Sequence, residues 1–572
     1  MSSIDWIILF GTLLFIVAYG IWKTRGTKSM DSYLRGADDT KWWAIGLSIM
    51  ATQASAITFL STPGQAYTDG MRFIQFYFGL PVAMIIISVF FLPIYYKLKV
   101  YTAYEYLETR FDVKTRMLAA LIFLVQRGLA AGITIYAPAI ILSSLLGWKL
   151  GYTTTIIGVL VIIYTVSGGT KAVTQTQKQQ MAVMMGGMII AGLLVINSLP
   201  SNVGFFDALH VAGKMGKLNV VNFEFNLSDR YNFWSGMTGA VFLFLSYFGT
   251  DQSQVQRYLS GKSLAESRLG LMMNGLLKVP MQFVILFIGV MVFVFYQFNQ
   301  PPIFFNQTAV DEVNKTEKAA EFNALEQNYQ EIFSQKREVL DDFVTAVQAD
   351  DEGAIERKSQ ELNTLQTNAD AVRSEAKTLI GSSAPDVETN DKDYIFMNFV
   401  TNNLPVGIIG LLFAVIFSAA MSSTSSELNA LGSTTTIDFY KRKINKDATD
   451  QHYLKSSKLF TLLWGVIAIL FASYLSLFEN LIQAVNLIGS LFYPIVLGIF
   501  IVAFFFKSIK SNAVFISALI SQALIILTHY LNLEGAAGIF TMGFLWYNAF
   551  GCVLVVVISF IIQFFVKTTD GQ

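Results

Sequence analysis

Residues 42–64 read WWAIGLSIMATQASAITFLSTPG, and the fold turns on how this stretch is understood. It is apolar and long enough to cross a bilayer, which takes about 20 helical residues. Yet its centre, Ala51 to Ser55, is small and polar, and Pro63 and Gly64 follow. Lipid offers the backbone no hydrogen bonds, so non-helical backbone at membrane depth persists only where protein or a cavity surrounds it. Two readings of the small side chains stand side by side. They let a neighbouring helix pack closely, or they mark a broken helix whose freed carbonyls coordinate a cation.

The rest of the chain supplies the environment. It has 572 residues, 53% of them hydrophobic and 14% charged, with a mean hydropathy of +0.51. A typical soluble chain is about 25% charged. Apolar runs lie near 5–22, 41–66, 72–97, 115–146, 151–167, 179–199, 233–250, 270–298, 396–435, 457–477, 480–506, 512–530 and 541–566. This predicts an all-α integral membrane protein with about 13 transmembrane helices, in a cell membrane. The first run lacks the basic n-region of a cleavable signal. Every second loop is basic, as with Lys97 and Lys99, Arg257 and Lys262, and Lys441, Arg442 and Lys443. The positive-inside rule then puts the N-terminus outside and the C-terminus in the cytoplasm. The formal charge is zero, so no overall field points to nucleic acid. The single cysteine, Cys552, has no intrachain partner. Three histidines and no phosphate loop, HExxH or GxSxG leave enzyme chemistry without a catalytic set.

Residues 299–395 break the apolar pattern. They hold 20 Asp and Glu against 9 Lys and Arg, a net of −11. Apolar positions such as Phe322, Leu325, Tyr329, Phe333 and Leu340 recur every three or four residues, which predicts amphipathic helices over 312–349 and 353–380. A helical hairpin outside the membrane is expected, either a solvated lobe or a docking surface for a partner that the sequence does not name.

Polar residues inside spanning runs are costly and mark functional sites by default. In the ninth run, SAAMSSTSSELNALGSTTT (418–436) places Ser422 with Ser426, and Ala419 with Ser423, on shared helix faces. Their hydroxyls and carbonyls are hard oxygen ligands of the kind sodium needs, or else interhelical hydrogen bonds. The stretch SYFGTDQSQVQRYL (246–259) carries Tyr247 and Phe248 into a polar segment, a candidate second break. In FLVQRGLAAGITIYAPA (123–139), Arg127 either snorkels to the interface or clamps a substrate carboxylate. The clamp is favoured because no acidic residue in the neighbouring runs offers itself as a partner, apart from Glu427 in a distant segment.

These stretches, with YTAYEYLETRFD (101–112), YTVSGGTKAV (164–173) and SSTSSELNALGSTTTIDFY (422–440), resemble the sodium/solute symporter family over residues 1–298 and 396–570, and within it the iodide, multivitamin and monocarboxylate branch. The resemblance implies the leucine-transporter fold, five helices repeated with inverted topology. It divides the chain into an N-terminal extra helix and loop (1–40), a first repeat (41–199) and an external loop (200–232). A second repeat (233–298 and 396–506) follows, interrupted by the acidic insertion (299–395), and then C-terminal helices (507–572). It implies a main sodium site at the carbonyls of Ala51 and Ala54 with Ala419, Ser422 and Ser423. The family's second ion site would use Ser425 and Ser426, but its aspartate falls on Gln177, which puts that site in doubt. Substrate contacts would fall on Thr58, Gln75, Arg127, Tyr247, Lys278 and Asn486. The expected function is sodium-driven uptake of a monocarboxylate, sugar acid or sugar by alternating access, with sodium as coupling ion. The alternative is a non-transporting sensor or scaffold on the same fold; no signalling domain follows residue 566.

Overall fold

The protein is described by a computed structural model over residues 1–24, 40–383, 389–473, 480–533 and 541–565. Arg25 and Lys28, basic residues of the loop after the first apolar run, lie outside these. Nine helices among the described residues are long and apolar enough to cross a membrane, and three shorter apolar helices join them. Their outer faces are apolar: Ile7 and Leu14 are each 70% exposed and Leu276 69%. Water would not tolerate that coat, and lipid does. The described residues hold no strand, only a single β-bridge between Thr40 and Gly261.

The elements that build the centre are α1 (Ser3–Thr24), α2 (Trp42–Gln53), α3 (Ala56–Asp69), α4 (Val113–Leu146) and α5 (Leu150–Asn197). They are followed by α6 (Ala240–Gly249), α7 (Gln252–Leu259) and α8 (Leu264–Phe298). The hairpin is α9 (Ala319–Gln348) and α10 (Glu352–Ser383). Two long helices complete the set, α11 (Ile408–Thr434) and α12 (Leu481–Phe505).

The stretch at 42–64 is broken. Helix α2 ends at Gln53, Ser55 is extended (φ −82°, ψ 174°), and α3 starts at Ala56. The second break falls between α6 and α7, where Asp251 is extended (φ −78°, ψ 121°) and caps α7 by accepting from the Ser253 amide at 2.8 Å. An aspartate at an N-cap satisfies an otherwise orphaned donor. The runs expected at 151–167 and 179–199 lie in α5 as two helices separated at Gly169, whose backbone is non-helical (φ 59°, ψ −173°). Only glycine adopts that backbone without strain, which accounts for Gly169 in the 164–173 motif.

The insertion forms the expected hairpin, turning at Asp350 (φ 55°). It does not stand free. Phe322, Tyr329, Ala369, Val372 and Ala376 form a core with Ile303 and Phe304, while Leu340, Phe343, Val344 and Ile355 join the core of the main bundle. Gln348 donates to the Asn202 carbonyl at 3.0 Å and Asn363 to the Lys214 carbonyl at 3.2 Å. The lobe is therefore a packed part of the protein.

Candidate functional site

Where α2 breaks, α11 and α5 face it. The Ser422 hydroxyl donates to the Ala51 carbonyl at 3.0 Å, so this carbonyl, near the C-terminal end of α2, has an oxygen-rich neighbour. Ala54 lies in the break and is fully buried. Ser423 bonds back to the Ala419 carbonyl at 2.9 Å and borders the central cavity. Ser425 bonds to the Ser422 carbonyl at 3.1 Å, and Ser426 to the same carbonyl at 3.0 Å. The structure thus brings Ala51 and Ser422 into contact and keeps Ala419 with Ser423 one helical turn along. Serine hydroxyls that can swing from their own helix to a ligand suit a site that must fill and empty.

Gln177, on α5, sits inside this group. Its amide nitrogen donates to the hydroxyls of Thr52 (2.9 Å), Ser422 (3.1 Å) and Ser426 (3.0 Å), and its carbonyl accepts from Ser48. An NH₂ group thus faces three hydroxyl oxygens at the position where the family resemblance implied a carboxylate.

The central cavity lies between the breaks. Thr58, Arg127, Tyr247 and Asn486 border it, together with Ser423, Glu427 and Tyr493. Two expected substrate residues are elsewhere. Gln75 is fully buried, but its amide serves the backbone of the 200–232 loop, accepting from the Asn222 amide at 2.8 Å and donating to the Tyr231 carbonyl at 3.0 Å. Lys278 is buried on the face of α8 that also carries Asn274 and Gln282, and does not border the cavity. Both corrections share a cause: helix rotation decides which face meets the cavity, and an isolated polar residue in a run does not reveal it.

The larger correction concerns Arg127. It has partners. Its Nε donates to Asp251 Oδ2 at 3.0 Å and its Nη1 to Glu427 Oε1 at 3.0 Å. Its Nη2 contacts both Asp251 and the Tyr493 hydroxyl, and that hydroxyl donates to Asp251 at 3.0 Å. The guanidinium also lies 5.2 Å from the Tyr247 ring centroid, whose hydroxyl accepts from Gln254 at 2.6 Å. One cation and two carboxylates leave the cluster a formal charge of −1. Asp251 falls in the 246–259 motif, and Tyr493 lies in an apolar run with no polar pattern around it. The signal for Asp251 was available: an acidic residue at a helix break within a spanning run is expensive unless paired.

Removing one oxygen from the serine row should weaken cation binding. Ser422→Ala and Ser423→Ala should each lose on the order of 1–3 kcal/mol, or about ten- to hundredfold in sodium affinity. Sodium titration of uptake in proteoliposomes reads this directly, and an unaltered half-saturating concentration in both variants would remove these serines from the ion site.

The comparisons agree with this architecture. The profile of the sodium:solute symporter family matches residues 33–322 and 378–521, and the chain belongs to that family. The unmatched 323–377 lies within the acidic hairpin. The chain is 34% identical over 273 residues to the human sodium-coupled monocarboxylate transporter 1, covering 47% of this chain and 44% of that one, less than half its length. It is 25% identical over 558 residues to the sialic acid symporter SiaT of Proteus mirabilis, covering 97% of this chain and 93% of that one. It is 30% identical over 308 residues to the human sodium/iodide cotransporter, covering 52% and 47%. A solved Na⁺-coupled sialic acid symporter, substrate-bound and outward-open, superimposes with a TM-score of 0.73 at 24% identity over 99% of this chain and 98% of that one. The two share a fold.

Proposed function

We propose that this protein is a sodium-coupled symporter that takes up a small organic anion. The observation that carries it is the broken helix at 53–55, with the Ala51 carbonyl facing the serine row of α11 beside the central cavity. Sodium is the coupling ion on this reading, held by Ala51, Ala54, Ala419, Ser422 and Ser423. The repeat boundaries at 41–199 and 233–506, and an extracytoplasmic N-terminus and lobe, belong to the same reading. The solutes named for the relatives are monocarboxylate, sialic acid and iodide, and all of them are anions.

An anion can use Arg127 only if one carboxylate lets go. Glu427 holds it through one 3.0 Å bond. Asp251 is engaged by Arg127, Tyr493 and the start of α7. Glu427 is thus the exchangeable partner, displaced as the solute's carboxylate takes its place. Glu427→Gln should raise the apparent affinity for an anionic solute about tenfold, by weakening a charge-assisted bond that competes with it. The measurement is sodium-driven uptake of a panel of monocarboxylates, sugar acids and neutral sugars. If the variant instead loses uptake of a neutral sugar that the wild type carries, Glu427 is a hydroxyl acceptor and the anion reading falls.

A further inference from the structure

Against the −11 of the insertion, one cavity is cationic. It lies between the lobe and the bundle, beside the end of α3. Its walls carry Lys217, Lys336, Arg373, Lys377 and Lys392 against Asp69 and Asp370. Asp391, behind the wall, engages two of these cations, Arg373 at 2.6 Å and Lys377 at 2.9 Å. Those contacts hold its carboxyl below the usual range despite burial. Lys392 reaches Asp69 at 3.9 Å.

That leaves Lys217 and Lys336, neither of which forms an ion pair among the described residues. Lys336 is 5% exposed, and its ammonium bonds to the side-chain oxygen of Gln366, with the Asp370 carboxylate adding attraction. Lys217 donates to the Thr68 carbonyl and lies 4.6 Å from the Phe293 ring centroid. A buried ammonium without a paired carboxylate is costly; here one buried and one half-buried lysine share a cavity in which Asp370 acts on both. Tyr67, Tyr329 and Phe333 also line the cavity, the last two on the same helix as Lys336.

We propose that this cavity is a second solute site, binding a small organic carboxylate with its head between Lys217 and Lys336 and its body against these aromatic rings. The 200–232 loop supplies one lysine and the lobe the other, so the site exists only because the insertion docks. A neighbouring cavity lined by Arg72 and Arg230 shares Thr68, Asp69 and Lys217 with it. A carboxylate held here would sit one side chain away from a further basic surface, and cationic clefts of this kind concentrate anions. The site stands on its own residues, whichever solute the central cavity carries.

Burial pushes Lys336 down to about 8, with Lys217 adding to the depression and Asp370 opposing it. Burial also lowers Lys217, against the pull of Asp370 and Asp69 and with Lys392 adding to the fall. Both ammonium groups are the binding forms. Affinity should therefore fall as pH rises from 7 to 9.

The test is calorimetric titration of the full chain in nanodiscs with potassium benzoate, in sodium-free buffer. Saturable binding is expected, weakened at least about tenfold by Lys336→Met and by Lys217→Met. Asp370→Asn should tighten it. Lys336→Arg should restore the affinity and flatten the fall toward pH 9. Absence of saturable binding, or an unchanged Kd in both methionine variants, overturns the site. Equal affinity for potassium sulfate overturns the organic part of the assignment. Because no sodium is present, a failure of sodium-coupled uptake is read separately and does not bear on this result.

Discussion

Arg127→Ala should leave uptake at about a hundredth of the wild-type rate or less, and should lower the yield of folded protein. Removing one partner of a buried ion pair costs about 3–5 kcal/mol, because it strands the charges left behind. Here it strands two, Asp251 and Glu427, which Arg127 now holds together in a space bordered by Tyr493 and Tyr247. Adding Glu427→Gln to Arg127→Ala should recover folded yield but not transport, since one stranded charge is gone while the anion has no receiver. Arg127→Lys should fall between, keeping the charge and losing the planar fork that reaches both carboxylates. Yield is read by size-exclusion of the detergent-solubilised protein and uptake in proteoliposomes. An Arg127→Ala protein with half the wild-type uptake would remove this cluster from the mechanism.

With Gln177 in place of a carboxylate we expect one sodium per cycle, and Gln177→Asp should raise this to two. The wild-type amide donates to three hydroxyl oxygens, those of Thr52, Ser422 and Ser426. A carboxylate there removes the donors, adds a charge and leaves an oxygen cage for a monovalent cation. The Hill coefficient for sodium should rise from near one toward two. The energetic consequence is large. One charge crossing 100 mV yields about 2.3 kcal/mol, and a tenfold sodium gradient adds about 1.4 kcal/mol. With one sodium an anion moves electroneutrally, so only the chemical gradient drives it, to about tenfold accumulation. A second sodium raises the limit to roughly 5,000-fold. A Hill coefficient near two in the wild type would contradict the assignment and turn attention to Glu427 as a second cation's ligand.

Much of this was legible along the chain. Lipid makes apolar length a strong signal, so the spanning runs could be read directly, while the small polar centre at 51–55 allowed either close packing or a break, and the structure shows the break. The serine row at 422–426 was visible through helical periodicity alone. The hairpin showed in its three-to-four spacing, with its turn at Asp350. Gln177 was conspicuous as a departure from a motif that resemblance to the family supplied, although only its three hydroxyl partners explain what the departure does.

What the sequence by itself determined, then, is the class of environment, the places where helices can yield, and the oxygen-rich face of α11. All three follow from local rules, the periodicity of the helix and the cost of unsatisfied polar groups in lipid. Tertiary structure decided the partners. Arg127 and Asp251 are 124 residues apart, and Arg127 and Glu427 are 300 apart, so no spacing rule joins them. Lys217 and Lys336 meet only because the hairpin folds back onto the bundle. Gln75 and Lys278 looked equal to Thr58 and Asn486 in the sequence, and helix rotation alone separated them. Charge pairing across a fold is a property of three-dimensional proximity: it sets whether a buried charge is available to a ligand or already taken.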